Sequence, residues 1–405
     1  MNYKPLDYFA LYDEEMEEEE REERKTVLGV SFGFLITLIS IAALAIVLFL
    51  TAISLRSYSF SGDAKKDAAD FGLNQRFSTG FTNLQSDTLG DIYKMKKLYV
   101  IAENDVVVPK PDSDCFGTAS SRDEIKKIYD SAEAYGLISA DDSVFLKDKD
   151  WNGKEIKYYL DETILAVLWK SKYEGQTYNF AEVSVAHGSQ FRRYLTGDRF
   201  GSVARDTTSS ISKAINAVVG MSGDFYAYRD EGLVIYHRKL CRFKASRLDS
   251  CLVDGEGDLH LIDKKEYGTK EEFEKYIEDN DILFSLSFGP ILIKDGEVRT
   301  KLGYYPLGQI NDNYARAAFG QVGKRHYLCC TVDGSVSLVD GTIPAVMAVK
   351  LGQLGCVQAY TLDGGQTATI YHNGKVFNRV GYGSERPISD IIFFASALPD
   401  AEEAD

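Results

Sequence analysis

The uncharged stretch of residues 27–55 most constrains what this chain can fold into. Its sequence, VLGVSFGFLITLISIAALAIVLFLTAISL, contains no Asp, Glu, Lys or Arg. A helix of about 20 apolar residues crosses a hydrocarbon core about 30 Å thick, so this stretch is long enough to span a membrane with tilt. A cleavable signal peptide is the competing interpretation, because Ala52, Ile53 and Ser54 resemble a cleavage site. The length of the stretch and the acidic segment before it favour a retained transmembrane helix over residues 26–55.

The segment before the predicted helix is strongly acidic. Residues 1–25 contain ten acidic and four basic residues, and the whole chain has a formal net charge of −15. Such a segment is typical of a solvated, disordered tail. Basic residues lie on both sides of the helix, Arg21, Arg24 and Lys25 before it and Arg56, Lys65 and Lys66 after it. The basic cluster nearest the membrane is the N-terminal one, which favours a cytoplasmic tail. We therefore predict a single-pass protein of the cell membrane with an extracytoplasmic C-terminal domain. The negative net charge of the chain argues against nucleic acid as a partner.

Two regions separate the predicted helix from the main domain. Residues 56–95 are rich in Ser, Gly, Asp and Lys, which predicts a stalk or linker. Residues 96–172 are predicted to form a small extracytoplasmic segment that packs on the main domain. Within it, Ser121 and Glu124 form a capping box for a helix that ends before Gly136. The β-branched and aromatic content of residues 158–169, YYLDETILAVLW, favours a strand.

Residues 173–397 show short strand patterns separated by Gly, Asp and Asn turns. Helices are expected at residues 208–219, 270–278 and 344–354. The predicted class is α+β, a mixed sheet domain of short strands with a few helices, followed by an acidic tail at residues 398–405. The chain has no GxGxxG, GxxxxGK or GxSxG motif, so nucleotide-binding and serine hydrolase functions lack their usual support.

The cysteines and histidines do not form a metal-binding pattern. All six cysteines follow the predicted membrane helix, which is compatible with disulfides and equally with buried thiols. The chain has no CxxC or HExxH motif, and its five histidines are scattered, so the sequence predicts neither a metal site nor a cofactor. His372, beside a predicted hairpin turn at Asn373 and Gly374, is expected to be exposed.

The segment TLDGGQT, residues 361–367, is the first candidate site. Residues 356–362, CVQAYTL, are predicted to form a strand, and Gly364 and Gly365 permit backbone angles that a side chain would forbid. Asp363 is therefore expected at a strand end. Backbone amides of the turn and the Thr367 hydroxyl favour the binding of an anion. An ordinary glycine turn is the alternative.

A second acid lies in a similar setting and belongs to a series of ordered motifs. Asp224 follows a glycine and precedes an aromatic run in residues 221–242. The next motifs along the chain are SFGPILIKDGEV (residues 287–298), ARAAFGQ (315–321) and ERPISDIIFF (385–394). In this order they resemble the phosphodiester glycosidase family over roughly residues 173–397. The resemblance implies a hydrolase that cleaves the bond between a sugar anomeric carbon and phosphate in an exported glycan or glycolipid.

The chemistry of that cleavage determines which side chains it needs. A phosphate leaving group is a weak base that needs little protonation, whereas its negative charge must be held. Arg316 and Arg386 match arginines in the family's motifs and are expected to grip the phosphate. Asp224 and Asp363 are the candidates for a carboxylate that attacks the anomeric carbon or activates a water. The expected substrate-binding residues are Ser222, Gly223, Gly364, Gly365, Gln366, Thr367, Asp390 and Arg192.

Each of these assignments has a structural alternative. The two aspartates could instead cap turns or ligate a structural calcium, and the two arginines could pair with acids that stabilise the fold. Arg192 and Arg193, in the segment SQFRR, either reach the site or lie on a helix face.

The chain differs from the common family pattern at two positions. Ser222 stands where Asn is frequent, and Gln366 stands where Gly or Ser is frequent. The longer Gln side chain narrows the expected pocket, so the sequence leaves the identity of the sugar open. The alternative function is a non-catalytic module that binds a phosphate-containing cell-surface polysaccharide in envelope or exopolysaccharide assembly.

Overall fold

The computed structural model describes residues 100–102, 105–244, 247–302, 305, 310–334 and 340–398. The predicted acidic tail, transmembrane helix and stalk, together with the C-terminal tail after residue 398, lie outside these ranges. Within the described ranges, no helix is both long enough and apolar enough to span a membrane.

The described residues form mostly short strands with five short α-helices, which confirms the predicted α+β class. The strands are β1 (Phe116–Ala119), β2 (Ile156–Leu160), β3 (Ile164–Tyr173), β4 (Gln176–Val185), β5 (Phe191–Leu195), β6 (Val219–Ser222), β7 (Gly232–Tyr236), β8 (Lys239–Lys244), β9 (Ser250–Asp254), β10 (Leu259–Ile262), β11 (Ile282–Leu286), β12 (Ile291–Lys294), β13 (Glu297–Val298), β14 (Arg316–Gly323), β15 (His326–Val332), β16 (Gln358–Leu362), β17 (Ile370–His372), β18 (Lys375–Val376) and β19 (Asp390–Phe394). The helices are α1 (Arg122–Ala134), α2 (Val144–Lys147), α3 (Thr208–Ala214), α4 (Lys270–Asp279) and α5 (Pro344–Gln353).

Nine strands form the largest sheet, in the order β1-β2-β3-β4-β15-β14-β16-β12-β13. All of its described pairings are antiparallel, so this sheet is not the mixed sheet that the sequence predicted. Residues 158–169, predicted as one strand, are instead a hairpin, because the chain reverses between Leu160 and Ile164 to pair β2 with β3. The predicted domain boundary after residue 172 falls inside this sheet, before the last residue of β3.

A second sheet, in the order β18-β17-β6-β19-β5, packs against the first. The core between the two sheets includes Leu168 of β3, Phe319 of β14, Met221 of β6 and Phe394 of β19. The nine-stranded sheet is buried on both faces, since Val167 and Trp169 of β3 point the other way, toward α1 and α5. Burial on both faces explains why the first six residues of β3, Ile164 to Trp169, are all apolar and do not alternate.

Local signals set most of the helix boundaries. At α4, the Thr269 side chain accepts from the Glu272 amide and the Glu272 carboxylate accepts from the Thr269 amide, which is a complete capping box. α5 begins with Pro344 and ends shortly before Gly355, whose φ is +91°. The predicted helix 208–219 was too long: α3 ends at Ala214, and β6 begins at Val219 to pair with β17 and β19.

The turn prediction at Asn373-Gly374 is confirmed, and the chain makes a similar turn at Asp295-Gly296. In both pairs the two residues have positive φ, as a type I′ hairpin requires. The exposure predicted for His372 is wrong. Its side chain is buried because β17 pairs with β6 and β18, and its Nδ1 lies 3.1 Å from the carbonyl oxygen of Val218.

All six cysteines are described, and none forms a disulfide. Four of them, Cys251, Cys329, Cys330 and Cys356, are buried. Of the two alternatives that the sequence left open, the structure therefore shows thiols.

Candidate active site

Three strand ends from two different sheets meet at one point. β6 ends at Ser222, β16 ends at Leu362, and β19 begins at Asp390. The Asp363 amide donates to the Gly223 carbonyl at 3.0 Å, and the Gly223 amide donates to the Asp390 carbonyl at 3.0 Å. The Ser222 hydroxyl donates to the Asp363 carbonyl at 3.1 Å. These bonds bring together Asp224, Asp363 and Asp390, which the sequence placed in one site.

Gly223 is required by this close approach. A Cβ atom built on Gly223 would lie 2.0 Å from Oδ2 of Asp390, far inside van der Waals contact. Any side chain here would therefore displace Asp390 and separate the strand ends.

Asp363 is the aspartate that faces open space. Its side chain is 14% exposed, and its Oδ2 accepts a hydrogen bond from Nη2 of Arg386 at 2.9 Å. Burial raises the pKa of Asp363 to about 6, and Asp390 adds to this rise, whereas Arg386, Thr367 and Arg229 oppose it. The residues that line the narrow cleft around it are Gly223, Phe225, Tyr228, Asp363, Ile388, Ser389 and Asp390. A carboxyl group with such a pKa can change protonation state near neutral pH.

Asp224 has a different environment, because both of its carboxylate oxygens are occupied. Oδ1 accepts from Nη2 of Arg193 and from the Tyr226 amide, both at 2.8 Å, and Oδ2 accepts from the Ser287 amide at 2.7 Å. The side chain is fully buried and is not among the residues that line the cleft. In this structure Asp224 therefore serves to hold its neighbours rather than to face a substrate.

Arg193 joins Asp224 to Asp390 in a buried ion triad. Nη2 of Arg193 lies 2.8 Å from Oδ1 of Asp224 and 2.7 Å from Oδ2 of Asp390, and all three side chains are at most 1% exposed. Nη1 of the same guanidinium donates to the carbonyl oxygen of Ser285. Burial raises the pKa of Asp390, with Asp224 adding to the rise and Arg193 opposing it. A buried charge of this kind is retained only when it is paired and hydrogen-bonded, as here.

Sequence reasoning selected Arg192 as a substrate-binding residue and left open whether Arg193 reaches the site. The segment SQFRR is not a helix face, because a short 3-10 turn at Gly188–Gln190 leads into β5. Successive side chains of a strand point to opposite faces, so Arg193 enters the site and Arg192 points away. Nη1 of Arg192 donates to the Ala102 carbonyl at 3.0 Å, in a separate pocket of about 310 Å³. The segment FRRYL carries the signal: if Phe191 and Leu195 face the core, then so does Arg193.

The two predicted phosphate-gripping arginines lie in different places. Arg386 contacts Asp363 at the cleft, as described above. The guanidinium of Arg316 donates to the carbonyl oxygens of Thr342 at 3.1 Å and Asp312 at 2.8 Å. Burial lowers the pKa of Arg316 to about 10, and Arg316 is not among the cleft-lining residues. Its phosphate contact stays a prediction.

The predicted anion-binding turn is partly occupied by the protein itself. The Gly365 amide donates to the Ala315 carbonyl at 2.7 Å, so this amide is not available to an anion. The Thr367 hydroxyl donates to the Gly364 carbonyl at 2.8 Å. Gly365 adopts a φ of +63°, which the double glycine permits. Nε2 of Gln366 lies 3.5 Å from the Ser384 hydroxyl, so this side chain faces the segment that carries Arg386.

Within the described residues, no group of three or more His, Cys, Asp or Glu side chains has an arrangement suited to a metal ion.

A family model matches the part of the chain that carries most of this site. Residues 215–395 match the family model described as phosphodiester glycosidase. The resemblance drawn from the sequence motifs is thereby confirmed over this part of the chain. The matched range contains Asp224, Asp363, Arg386 and Asp390 but not Arg193.

Individual relatives are distant. The chain is 26% identical over 209 residues to the SPbeta prophage-derived uncharacterized protein YomE of Bacillus subtilis (strain 168), an alignment that covers 49% of this chain and 31% of that protein. This chain thus spans about a third of the length of that relative.

Among solved structures, the chain is similar to the catalytic domain of zebrafish N-acetylglucosamine-1-phosphodiester alpha-N-acetylglucosaminidase, auto-inhibited by its pro-peptide. That alignment has a TM-score of 0.45 and 17% identity, and it covers 57% of this chain and 83% of the other. A hypothetical protein from Synechocystis gives a TM-score of 0.43 and 13% identity over 59% of this chain and 63% of that one.

Proposed function

We propose that this chain is a glycosidase that hydrolyses the bond between a sugar anomeric carbon and phosphate in a sugar 1-phosphodiester. One observation supports this most strongly: Asp363, which lines the cleft and has a pKa near 6, accepts a hydrogen bond from the Arg386 guanidinium, within the residues that match the phosphodiester glycosidase family model. A carboxylate and a guanidinium side by side are suited to a substrate with an electrophilic carbon next to a phosphate anion.

In the proposed reaction, Arg386 binds the phosphate oxygens and stabilises the charge of the leaving group. The bond between the anomeric carbon and the bridging oxygen breaks, and its electron pair stays on the phosphate. Asp363, ionised at neutral pH, attacks the sugar carbon or takes a proton from the attacking water. The water oxygen ends on the sugar, and its proton ends on the solution or the phosphomonoester.

The buried triad supports this chemistry indirectly. Arg193 and Asp224 fix Asp390 at the back of the cleft, and Asp390 raises the pKa of Asp363 by its negative charge. A carboxylate whose pKa is near the working pH combines a sufficient ionised fraction with good basicity.

We further propose that the enzyme is tethered to the cell membrane by residues 27–55 and acts on the extracytoplasmic side. The support is the uncharged stretch and the acidic segment that precedes it. The substrate is then a sugar 1-phosphodiester glycan or glycolipid at the cell surface.

The test is to incubate the full-length protein in detergent with aryl and natural sugar 1-phosphodiesters. We expect release of a phosphomonoester and free sugar, and a loss of at least about 100-fold in kcat for Asp363→Asn. Asp258→Asn is the matched control, because Asp258 is also a half-buried aspartate with a raised pKa but hydrogen-bonds Gln321 outside the cleft. If wild type and Asp363→Asn both bind a phosphate-containing polysaccharide and neither releases sugar, the non-catalytic binding module is the correct alternative.

A further inference from the structure

Two aromatic rings and two guanidinium groups form a continuous row at the mouth of the cleft. The rings of Phe225 and Tyr228 stack at 4.5 Å between centroids, with 19° between their planes. The Arg386 guanidinium lies 5.4 Å from the Phe225 centroid, and the Arg205 guanidinium lies 5.1 Å from the Tyr228 centroid. Rings 4.5 Å apart leave no space for a guanidinium between them. The cations therefore lie at the two ends, in the order Arg386, Phe225, Tyr228, Arg205.

Both ends of the row are anchored. Nη2 of Arg386 donates to Asp363 at 2.9 Å, as described above. Nη1 of Arg205 donates to the carbonyl oxygens of Ser202 at 2.8 Å and Ala204 at 2.5 Å. The row thus connects the loop after β5 to the carboxylate that faces the cleft.

The backbone at Phe225 adopts an unfavourable conformation to place this ring. Its φ is +69°, a left-handed conformation that is rare for a bulky residue other than glycine. The conformation is held from the next residue, because the Tyr226 amide donates to Oδ1 of Asp224. The buried triad therefore also fixes the turn from which the two rings project.

We propose that Phe225 and Tyr228 are positioning residues that hold the guanidinium of Arg386 against Asp363. The proposal rests on the proposed function only for its catalytic consequence, since the placement of Arg386 can be measured without turnover.

Arg386 needs such support because water competes with Asp363 for its guanidinium group. The Arg386 side chain is 43% exposed. Among the described residues, its guanidinium hydrogen-bonds to Asp363 alone. Exposed ion pairs of long side chains are weak, because ordering the side chain costs entropy and salt screens the charges. Stacking on an aromatic face restricts the guanidinium and adds a favourable cation–π contact. A lysine at this position would lose the planar contact.

The pKa of Asp363 shows whether the row of rings holds Arg386 against this carboxylate. The groups that act on Asp363 are Arg386, Arg229, Asp390 and the Thr367 hydroxyl, and of these only Arg386 belongs to the row. Disrupting the stack should remove the effect of Arg386 and leave the others in place. The carboxyl group would then bind its proton more tightly.

The experiment measures the pKa of Asp363 directly, in the full-length protein with ¹³C-labelled aspartate carboxyl groups. The resonance of Asp363 is the one missing in Asp363→Asn. Phe225→Leu should raise the pKa of Asp363 by roughly half a pH unit, the size expected when the exposed cation–π contact of Arg386 is lost. Tyr228→Ala removes the ring that stacks behind Phe225 and should raise this pKa by a smaller amount. Arg386→Gln should raise it further, because it removes the charge itself.

Two controls separate stacking from other effects. Tyr228→Phe keeps the ring and should leave the pKa of Asp363 unchanged. Tyr382→Ala removes another exposed tyrosine, 52% exposed and outside the row, and should also leave it unchanged. Phe225→Leu keeps an apolar side chain at this position, so its effect on the pKa reports the loss of the ring and not the loss of burial.

Two results would overturn the proposal: an unchanged pKa in both Tyr228→Ala and Phe225→Leu, or an unchanged pKa in Arg386→Gln. Where turnover is measurable, the acidic limb of kcat/KM should move with the measured pKa in each variant. An inactive wild type with the expected pKa shifts would retain the positioning proposal and reject the proposed function.

Discussion

At the scale of single residues, the environment gives two aspartates different tasks. Asp224 and Asp363 each lie next to a glycine just after the end of a strand, and the sequence treated them as a pair. The structure occupies both oxygens of Asp224 and leaves Asp363 facing the cleft with a raised pKa. Only Asp363 therefore combines access with a protonation equilibrium near neutral pH.

The raised pKa of Asp363 predicts the pH dependence of activity. Asp363 must be ionised to act as nucleophile or base, so kcat/KM should be half-maximal near pH 6 and fall below it. Arg386 favours the ionised form, so Arg386→Gln should move this limb to higher pH, in addition to weakening substrate binding. The pH profile of kcat/KM over pH 4.5–8 measures both effects. A limb that stays near the ordinary aspartate value of about 4 would contradict the assignment.

The buried Arg193 predicts a large loss of stability on substitution. Arg193→Met leaves Asp224 and Asp390 buried without their cation, which should lower the free energy of unfolding by roughly 3–5 kcal/mol. The loss should be smaller at pH 5 than at pH 7, because uncompensated buried carboxyl groups can bind protons at lower pH. Arg192→Met, one residue earlier on the opposite face of β5, is the matched control and should cost far less. Urea unfolding at the two pH values measures these differences, and equal losses for the two variants would contradict the triad.

At the scale of elements, short strands with fixed alternation decide what reaches the site. The period of two in β5 sends Arg193 inward and Arg192 outward, and a helix interpretation of the same five residues loses this distinction. In β17 all three residues are buried, so His372 is buried although it adjoins a hairpin turn.

Burial of His372 predicts sensitivity to acid. Burial lowers its pKa to about 4, while hydrogen bonding to the Val218 carbonyl opposes the shift. The unfolded chain binds this proton near pH 6.5 and the folded chain only near pH 4. The contribution of neutral His372 to the free energy of unfolding is therefore complete above pH 6.5 and is lost as the pH falls toward 4. Over this interval the free energy of unfolding should fall by on the order of 3 kcal/mol. His372→Gln should flatten the fall in stability over this interval, as measured by urea unfolding at several pH values.

Local patterns predicted much of the fold and part of the site. The capping residues Ser121 and Thr269, Pro344 at the start of α5 and the Asn373-Gly374 turn act within a few residues, so the sequence shows them directly. The hairpin at Leu160–Ile164 and the end of α3 depend on which strands pair across the sheets, and pairing partners distant in sequence are not visible in one chain. The role of Arg193 stayed open for the same reason, because its partners lie 31 and 197 residues away.

At the scale of the whole molecule, the candidate site spans the two stacked sheets. Asp363 follows β16 of the nine-stranded sheet, whereas Asp390 belongs to the five-stranded sheet and Asp224 follows its central strand β6. The bonds from Asp363 to Gly223 and from Ser222 to Asp363 connect the sheets at this edge. The packing between the sheets therefore sets the separation of the carboxyl groups, and core substitutions between them should affect turnover as well as stability.

The proposed reaction breaks the bond between the anomeric carbon and the bridging oxygen, not the bond between that oxygen and phosphorus. Hydrolysis of a sugar 1-phosphodiester in ¹⁸O-labelled water distinguishes the two. The phosphomonoester product is analysed by mass spectrometry, because its phosphate oxygens do not exchange with water on this timescale. We predict an unlabelled phosphomonoester, with the label delivered to the sugar. An ¹⁸O atom in the phosphomonoester would show attack at phosphorus and would contradict the account.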